Sequence, residues 1–422
     1  MLIKNGTVLF PGENKMENTD LLIEDGVITQ IGRGLSDDGK QEIVDATGLM
    51  VAPGLVDVHV HFRDPGFTYK EDIYTGASAA LKGGFTSVVL MANTKPCVDS
   101  AETLWYVLNK GRETNLHIYS CATVTKGMQG KELTDMEELR KQGAAGFTDD
   151  GIPIMDEALL TEAMERTAKL GVPISLHEED PSKITNNGVH AGKAAKHFGI
   201  AGSPREAEIS LIRRDLELAL KTGAILNVQH ISTKEGVELV RQAKRKGANI
   251  HAEATPHHFS LNEESCIKYG TMAKMNPPLR EEADRLAVVE GLADGTIDLI
   301  ATDHAPHSPE EKQKDITAAP SGILGLETAL SLGIMHLVDE KKLTMCELLQ
   351  KMSLNPARLY GIEGGEIKIG CKADLVIFDP EKSWKVEGFA SKSQNSPFLG
   401  ETMKGQVVYT IVDGRIIYRL CR

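Results

Sequence analysis

What most constrains the fold of this chain is an alternation that fills its middle. Short apolar runs suited to strands are followed, again and again, by amphipathic stretches suited to helices. The run at 55–62 precedes a helical pattern over 71–82, 86–91 precedes 101–110, 116–124 precedes 135–141, and 146–150 precedes 157–170. The series continues with 173–177 before 205–221, 225–230 before 236–246, 249–254 before a helical stretch near 285–291, and 297–302 before 326–338. Parallel neighbours need a crossover connection, so strands alternating with helices imply a parallel sheet. Eight units predict an α/β protein built on a closed (β/α)8 barrel of the TIM type. An open doubly wound sheet is the competing arrangement. No G-x-G-x-x-G follows the first strand to support its dinucleotide-binding form.

The two ends follow a different grammar of short strands and tight turns. Leu21–Glu24 and Val27–Ile31 flank Asp25-Gly26, a hairpin signal, and 42–44 and 49–51 flank Ala46-Thr47-Gly48 in the same manner. Near the C-terminus, 373–378 reads as a strand, and 407–411 and 415–418 flank Asp413-Gly414. The expectation is a small β-sandwich domain formed by both termini, 1–52 with 365–422, around a barrel over 53–364. Two unrelated β appendages would satisfy the same pattern.

Sixty acidic against 47 basic residues in 422 give a formal charge of −13. A nucleic-acid partner calls for a basic face, so that class is disfavoured. An anionic substrate would require local positive charge from a metal ion or a placed Arg. No apolar run approaches the ~20 residues of a membrane span. The first apolar segment is short and broken by Pro11 and Gly12, unlike a signal peptide. The six cysteines are scattered without a C-x-x-C pair, which fits a reducing compartment and makes the cytoplasm the expected location.

The chemistry gathers at strand ends. His59 and His61 lie two apart on the first barrel strand, so both imidazoles face the same side. Alone, such a pair also fits satisfied core or surface histidines. Asp150, His177, His230 and Asp303, however, close the fourth, fifth, sixth and eighth apolar runs. All six would emerge into one barrel mouth, where active sites of this architecture lie. Crowding imidazoles and carboxylates there is costly unless a divalent cation compensates them. The N/O donor set suits Zn2+ or a related metal, as one ion or as two with Asp150 between them.

The motifs carry a resemblance. His59-Val60-His61 together with Thr302-Asp303-His304 resembles the amidohydrolase superfamily, and 59–66 (HVHFRDPG) resembles dihydroorotases of the class I type. Asn93-Thr94, the stretches 147–151, 230–234, 275–280 and 301–307, and 395–398 extend the likeness along nearly the whole chain. Related hydantoinases and allantoinases typically carry a carboxylated lysine on the fourth strand, where this chain has Asp150. They also generally lack an Arg at the position of Arg63.

The resemblance implies reversible cyclisation of N-carbamoyl-L-aspartate to L-dihydroorotate, the third step of de novo pyrimidine biosynthesis. It implies one or two Zn2+ ions per subunit, attack by a metal-bound hydroxide, and Asp303 as general base and acid. It assigns Arg63, Asn93 and His307 to the substrate's α-carboxylate. Asn276 and the backbone near Ser321-Gly322 go to the ring amides, and His61 also borders the substrate. A homodimer and association with aspartate transcarbamoylase are the partners it suggests. The rival readings are a cyclic amidase acting on hydantoin, dihydropyrimidine or allantoin, and a non-catalytic scaffold. Ala92, Glu178 and Ser321 depart from the family pattern, where Pro, Cys and an aromatic residue are frequent. The polar segment 181–204 reads as a long loop near the site.

Overall fold

The computed structural model describes residues 1–36, 39 and 41–421. Eight parallel segments close a barrel. The first three strands, Leu55–Val60, Phe85–Leu90 and His117–Ser120, pair in order. The last four, Ile174–Leu176, Leu226–Val228, Ile250–Ala254 and Leu299–Ile300, form a second ordered set. The fourth is reduced to Phe147, which bridges Ala122 on one side and Ile174 on the other. Closure comes where His304 bridges Val60, with the His61 amide donating to the His304 carbonyl at 2.9 Å. Buried Asp57 locks the same seam by accepting from the amides of His59 and Thr302, each at 3.1 Å.

The helices form where the apolar period called for them. Glu157–Leu170 is capped by Asp156, whose carboxylate accepts from the amides of Ala158 and Leu159, and it ends at Gly171 in the left-handed region. Ile73–Lys82 starts from a capping box between Asp72 and Thr75 and lays its apolar side on the first strands. Gly76 is required there, because a Cβ would sit 2.5 Å from the Phe62 ring. Phe62, Phe85 and Phe147 are fully buried, each stabilising the core by about 1.5–3 kcal/mol through area removed from water.

Both ends of the chain enter one network of eight paired strands. Its middle strand, Met50–Pro53, runs parallel to Leu2–Phe10 and antiparallel to Leu375–Lys385. Ile3, Val8, Leu21, Val51, Leu375, Ile377 and Ile411 give this sheet its own core. The hairpins at Asp25-Gly26 and Asp413-Gly414 form as expected. The one expected around 46–48 does not. Ile43–Asp45 and Met50–Pro53 each pair in parallel with Leu2–Phe10 instead of with one another. Their backbone groups are satisfied by a distant strand whose place no local pattern announces. Among the described residues no helix is long and apolar enough to cross a membrane.

Candidate active site

The mouth of the barrel holds a cavity of about 260 Å³. His61, Arg63, Asn93, Asp150, His177, His230, Asn276, Asp303, His307, Ser321 and Gly322 all line it. His59 lies directly beneath, with no exposed surface. Residues as far apart in the chain as His59 and Gly322 thus meet at one mouth.

Two potential ligand groups share one carboxylate: His59, His61 and Asp150, and Asp150, His177 and His230. Asp150 Oδ1 is 3.5 Å from His59 Nε2, 3.9 Å from His177 Nδ1 and 4.0 Å from His230 Nε2, while its Oδ2 is 3.5 Å from His61 Nε2. Asp303 Oδ1 stands 3.0 Å from His61 Nε2 and 3.7 Å from His59 Nε2.

The partners behind the rings fix which nitrogen faces the centre. His59 Nδ1 is 3.0 Å from Glu253 Oε2 and donates to it, which leaves Nε2 as the inward lone pair. That Nε2 is buried and has no hydrogen-bond partner among the described residues. His61 Nδ1 donates to the Asn93 carbonyl oxygen at 3.0 Å, which turns Nε2 inward to within 3.0 Å of Asp303 Oδ1. His177 turns Nε2 toward Glu179 Oε2 at 3.3 Å and presents Nδ1 inward. Buried nitrogen lone pairs and carboxylate oxygens aimed at one centre are costly without a counter-ion, so the donor set fits a divalent cation.

The buried groups perturb one another strongly. Burial opposes ionisation of Asp150, yet the charges of His59, His61 and His177 hold its carboxyl far below the usual range. Burial likewise works against charge on His59, but Glu253 and Asp150 raise it well above its ordinary value. His230 is driven well below by burial and by the neighbouring His177 and His59.

Backbone strain marks the same residues. Arg63 (φ 58°), His230 (φ 30°) and Asp303 (φ 49°) adopt the left-handed region although none is glycine. Such conformations cost of order 1–3 kcal/mol each and persist where surrounding structure holds them for function.

Beside the cluster, Arg63 is half-buried and donates from Nε only to the Pro306 carbonyl, at 3.3 Å. The pairing with Asp64 or Glu71 that would make it structural is absent. Asp64 is held by Lys110 and Tyr106, and Glu71 by His304 and Ser391. Asn93 donates to Asp150 Oδ2 at 3.0 Å, and Asn276 lies 3.3 Å from His177 Nε2 with its carbonyl oxygen unpartnered. His307 is already engaged, with Nε2 donating to the Ser321 carbonyl at 2.8 Å and Nδ1 facing Lys70 Nζ at 3.3 Å.

Sequence reasoning missed Glu253, Glu179, Lys70 and Asn187, and gave Asn395 no role beyond its place in the resemblance. Asn395 accepts from the His307 amide and donates to the Ala305 and Gly322 carbonyls. Glu253 carried a readable signal, since an acid in the apolar strand Ile250–Ala254 needs a buried partner. Of the departures, Glu178 has its carboxyl pushed up by burial and by the Asp215 carboxylate, and it does not line the cavity. The polar segment is ordered around a short helix, Lys193–Phe198, and sends Asn187 into the cavity wall.

The amidohydrolase family matches residues 50–417. The chain is 54% identical over 418 residues to a dihydroorotase of Clostridioides difficile (strain 630), covering 99% of both chains. It is 49% identical over 420 residues to a dihydroorotase of Clostridium acetobutylicum, with 99% of each covered. The chain belongs to the dihydroorotase family. Among solved structures it superposes on the L-hydantoinase (dihydropyrimidinase) from Arthrobacter aurescens with a TM-score of 0.87 at 25% identity, covering 100% of this chain and 97% of that one. A D-hydantoinase (dihydropyrimidinase) from Thermus sp. gives 0.85 at 26%, with 99% and 95% covered. This dihydroorotase-family chain therefore shares the barrel and terminal sheet of the hydantoinases, and its mouth residues must account for any difference in chemistry.

Proposed function

We propose that this protein is a dihydroorotase that interconverts N-carbamoyl-L-aspartate and L-dihydroorotate in de novo pyrimidine biosynthesis. The observation that carries the reading is Arg63, a guanidinium free of any ion pair among the described residues, opening onto the same cavity as the six-residue cluster. A planar fork of donors matches a carboxylate bidentately, and the α-carboxylate is the group that hydantoin and dihydropyrimidine lack.

His59, His61, His177, His230 and Asp150 would hold Zn2+, as one ion or as two with Asp150 shared. When bound, the cation supplies Lewis acidity and lowers the pKa of a water. Asp303 carries the proton. In hydrolysis its carboxylate takes a proton from the attacking water and delivers it to the ring nitrogen as the amide bond breaks. In cyclisation it accepts the proton of the ureido nitrogen as that nitrogen bonds to the side-chain carboxyl carbon, and returns it to the departing oxygen. Cyclisation consumes one proton overall, so lower pH favours the ring. Arg63 anchors the α-carboxylate, with Asn93 and His307 shaping that end of the pocket. Asn276 offers its free carbonyl oxygen to a ring N–H, and the Ser321-Gly322 backbone lies along the other amide. The protein is proposed to act in the cytoplasm as a homodimer able to associate with aspartate transcarbamoylase.

The test is a substrate comparison on purified, zinc-loaded protein. Turnover of dihydroorotate with little or none of hydantoin or dihydrouracil is expected. Preference for hydantoin would replace this reading with that of a neutral cyclic amidase, and inactivity on every ring would favour the scaffold.

A further inference from the structure

A second set of ligand-type side chains lies at the opposite end of the barrel. His117 opens the third barrel strand, Asp374 precedes the strand Leu375–Lys385, and Asp413 occupies the turn before Arg415–Arg419. His117 Nε2 is 3.1 Å from Asp374 Oδ2 and 3.7 Å from Asp413 Oδ1. The three could hold one ion.

The orientation of these atoms is more informative than their distances. An imidazole nitrogen 3.1 Å from a carboxylate oxygen would ordinarily be a hydrogen bond. Here both atoms are buried, yet neither has a hydrogen-bond partner among the described residues. The ring nitrogen and the oxygen are close neighbours without an aligned hydrogen bond. That is the relation between two ligands of a common ion, and His59 Nε2 shows the same orphaned state in the catalytic cluster. Ligands at 2.0–2.1 Å from a tetrahedral zinc sit about 3.3 Å apart, between the two distances observed.

The site is built and reachable. The Asp374 side chain is only 4% exposed, and its other oxygen accepts from the Asp413 amide at 2.8 Å. Asp413 is 56% exposed and opens on a cavity of about 1050 Å³ between the barrel and the terminal sheet. Arg112, Lys372 and Arg415 line the same cavity. No broad negative field therefore draws cations in, and selection must come from direct coordination. A borderline ion with affinity for imidazole satisfies that requirement, whereas Mg2+ and Ca2+ prefer all-oxygen sets.

We propose that His117, Asp374 and Asp413 bind a Zn2+-class cation that pins the third barrel strand to the terminal sheet, with water completing its shell. The experiment uses the full chain with its catalytic centre loaded. Wild type, His117→Gln and Asp413→Gly are equilibrated with Zn2+, freed of excess, and analysed for bound metal and for Tm. Glycine suits position 413, where φ is 48°, so this variant keeps the turn and decides the matter should His117→Gln fail to fold. Wild type is expected to retain one more Zn2+ per chain than either variant, with dihydroorotase turnover unchanged in both. Added Zn2+ should raise the Tm of wild type alone, and Mg2+ should not reproduce the rise. Equal zinc content in wild type and Asp413→Gly, or a Tm that responds to zinc equally in both, would overturn the proposal and leave His117 in an ordinary ion pair with Asp374.

Discussion

The two ends of the barrel use the same residue types to opposite purpose. At the mouth, His59, His61, His177 and His230 crowd around Asp150 and Asp303, and the inward His59 Nε2 has no hydrogen-bond partner among the described residues. At the foot, Asp298 is saturated. It accepts from His251 Nδ1 at 2.6 Å, Lys244 Nζ at 2.9 Å and the Ala252 amide at 3.1 Å. A paired buried carboxylate stabilises, whereas an unpaired one costs free energy and persists where function holds it in place. The satisfaction of individual atoms, not composition, thus separates the His–Asp cluster at the mouth from the one at the foot. His117 Nε2 and Asp374 Oδ2 lie at the foot but, like His59 Nε2 at the mouth, have no hydrogen-bond partner among the described residues.

Substitutions at the two ends should part accordingly. The largest effect is expected for Asp303→Asn. Loss of the proton carrier should lower kcat by about 10²–10⁴-fold, with metal content retained. Wild-type turnover would remove Asp303 from its role and erase the distinction between the ends.

Arg63→Met should lower kcat/KM for dihydroorotate by about 10–150-fold, the worth of a charged hydrogen-bonded contact. Any trace activity on hydantoin should be unaffected. Equal losses on both substrates would mean that Arg63 serves the fold instead.

Glu253→Gln keeps shape but weakens the acceptor behind His59. Zinc affinity, measured by competition with a chelator, should fall about 10–100-fold. An unchanged affinity would show that the orientation of His59 comes from packing alone.

The smallest effect belongs to the foot. Asp298→Asn should leave kcat intact and cost about 1–3 kcal/mol of stability at neutral pH. Burial opposes charge on Asp298, but the His251 hydrogen bond and the Lys244 charge lower its pKa below 3.8. A carboxylate with a depressed folded pKa contributes above its unfolded value and loses that contribution as pH falls through the folded one. The difference between variant and wild type should therefore shrink below about pH 4. A gap in Tm that stays constant to pH 3 would show that the pairing is not electrostatic.

Much of the fold was legible because its signals are local. The helix Glu157–Leu170 announces itself through period, an Asp cap and a terminal Gly within one stretch of chain. Six strand-end residues could be read as one cluster because alternation implies a barrel, and a barrel gathers its strand ends. Segment 43–53 was not legible as it stands, since its partner is a strand some forty residues earlier. Glu179 and Lys70 were missed, and Asn395 was given no role, for the same reason, each earning its place through a contact made across the fold.

Periodicity and strand-end position are properties of short stretches of chain, so the barrel architecture and a set of candidate ligand-type residues can be read without the fold. Only the tertiary structure decided which of those side chains are satisfied. Among the described residues it left His59 Nε2 without a partner, gave Asp298 three, and freed Arg63 from Asp64 and Glu71. Hydrogen-bond satisfaction depends on atoms brought within about 3 Å from distant parts of the chain, and only the folded state brings them there.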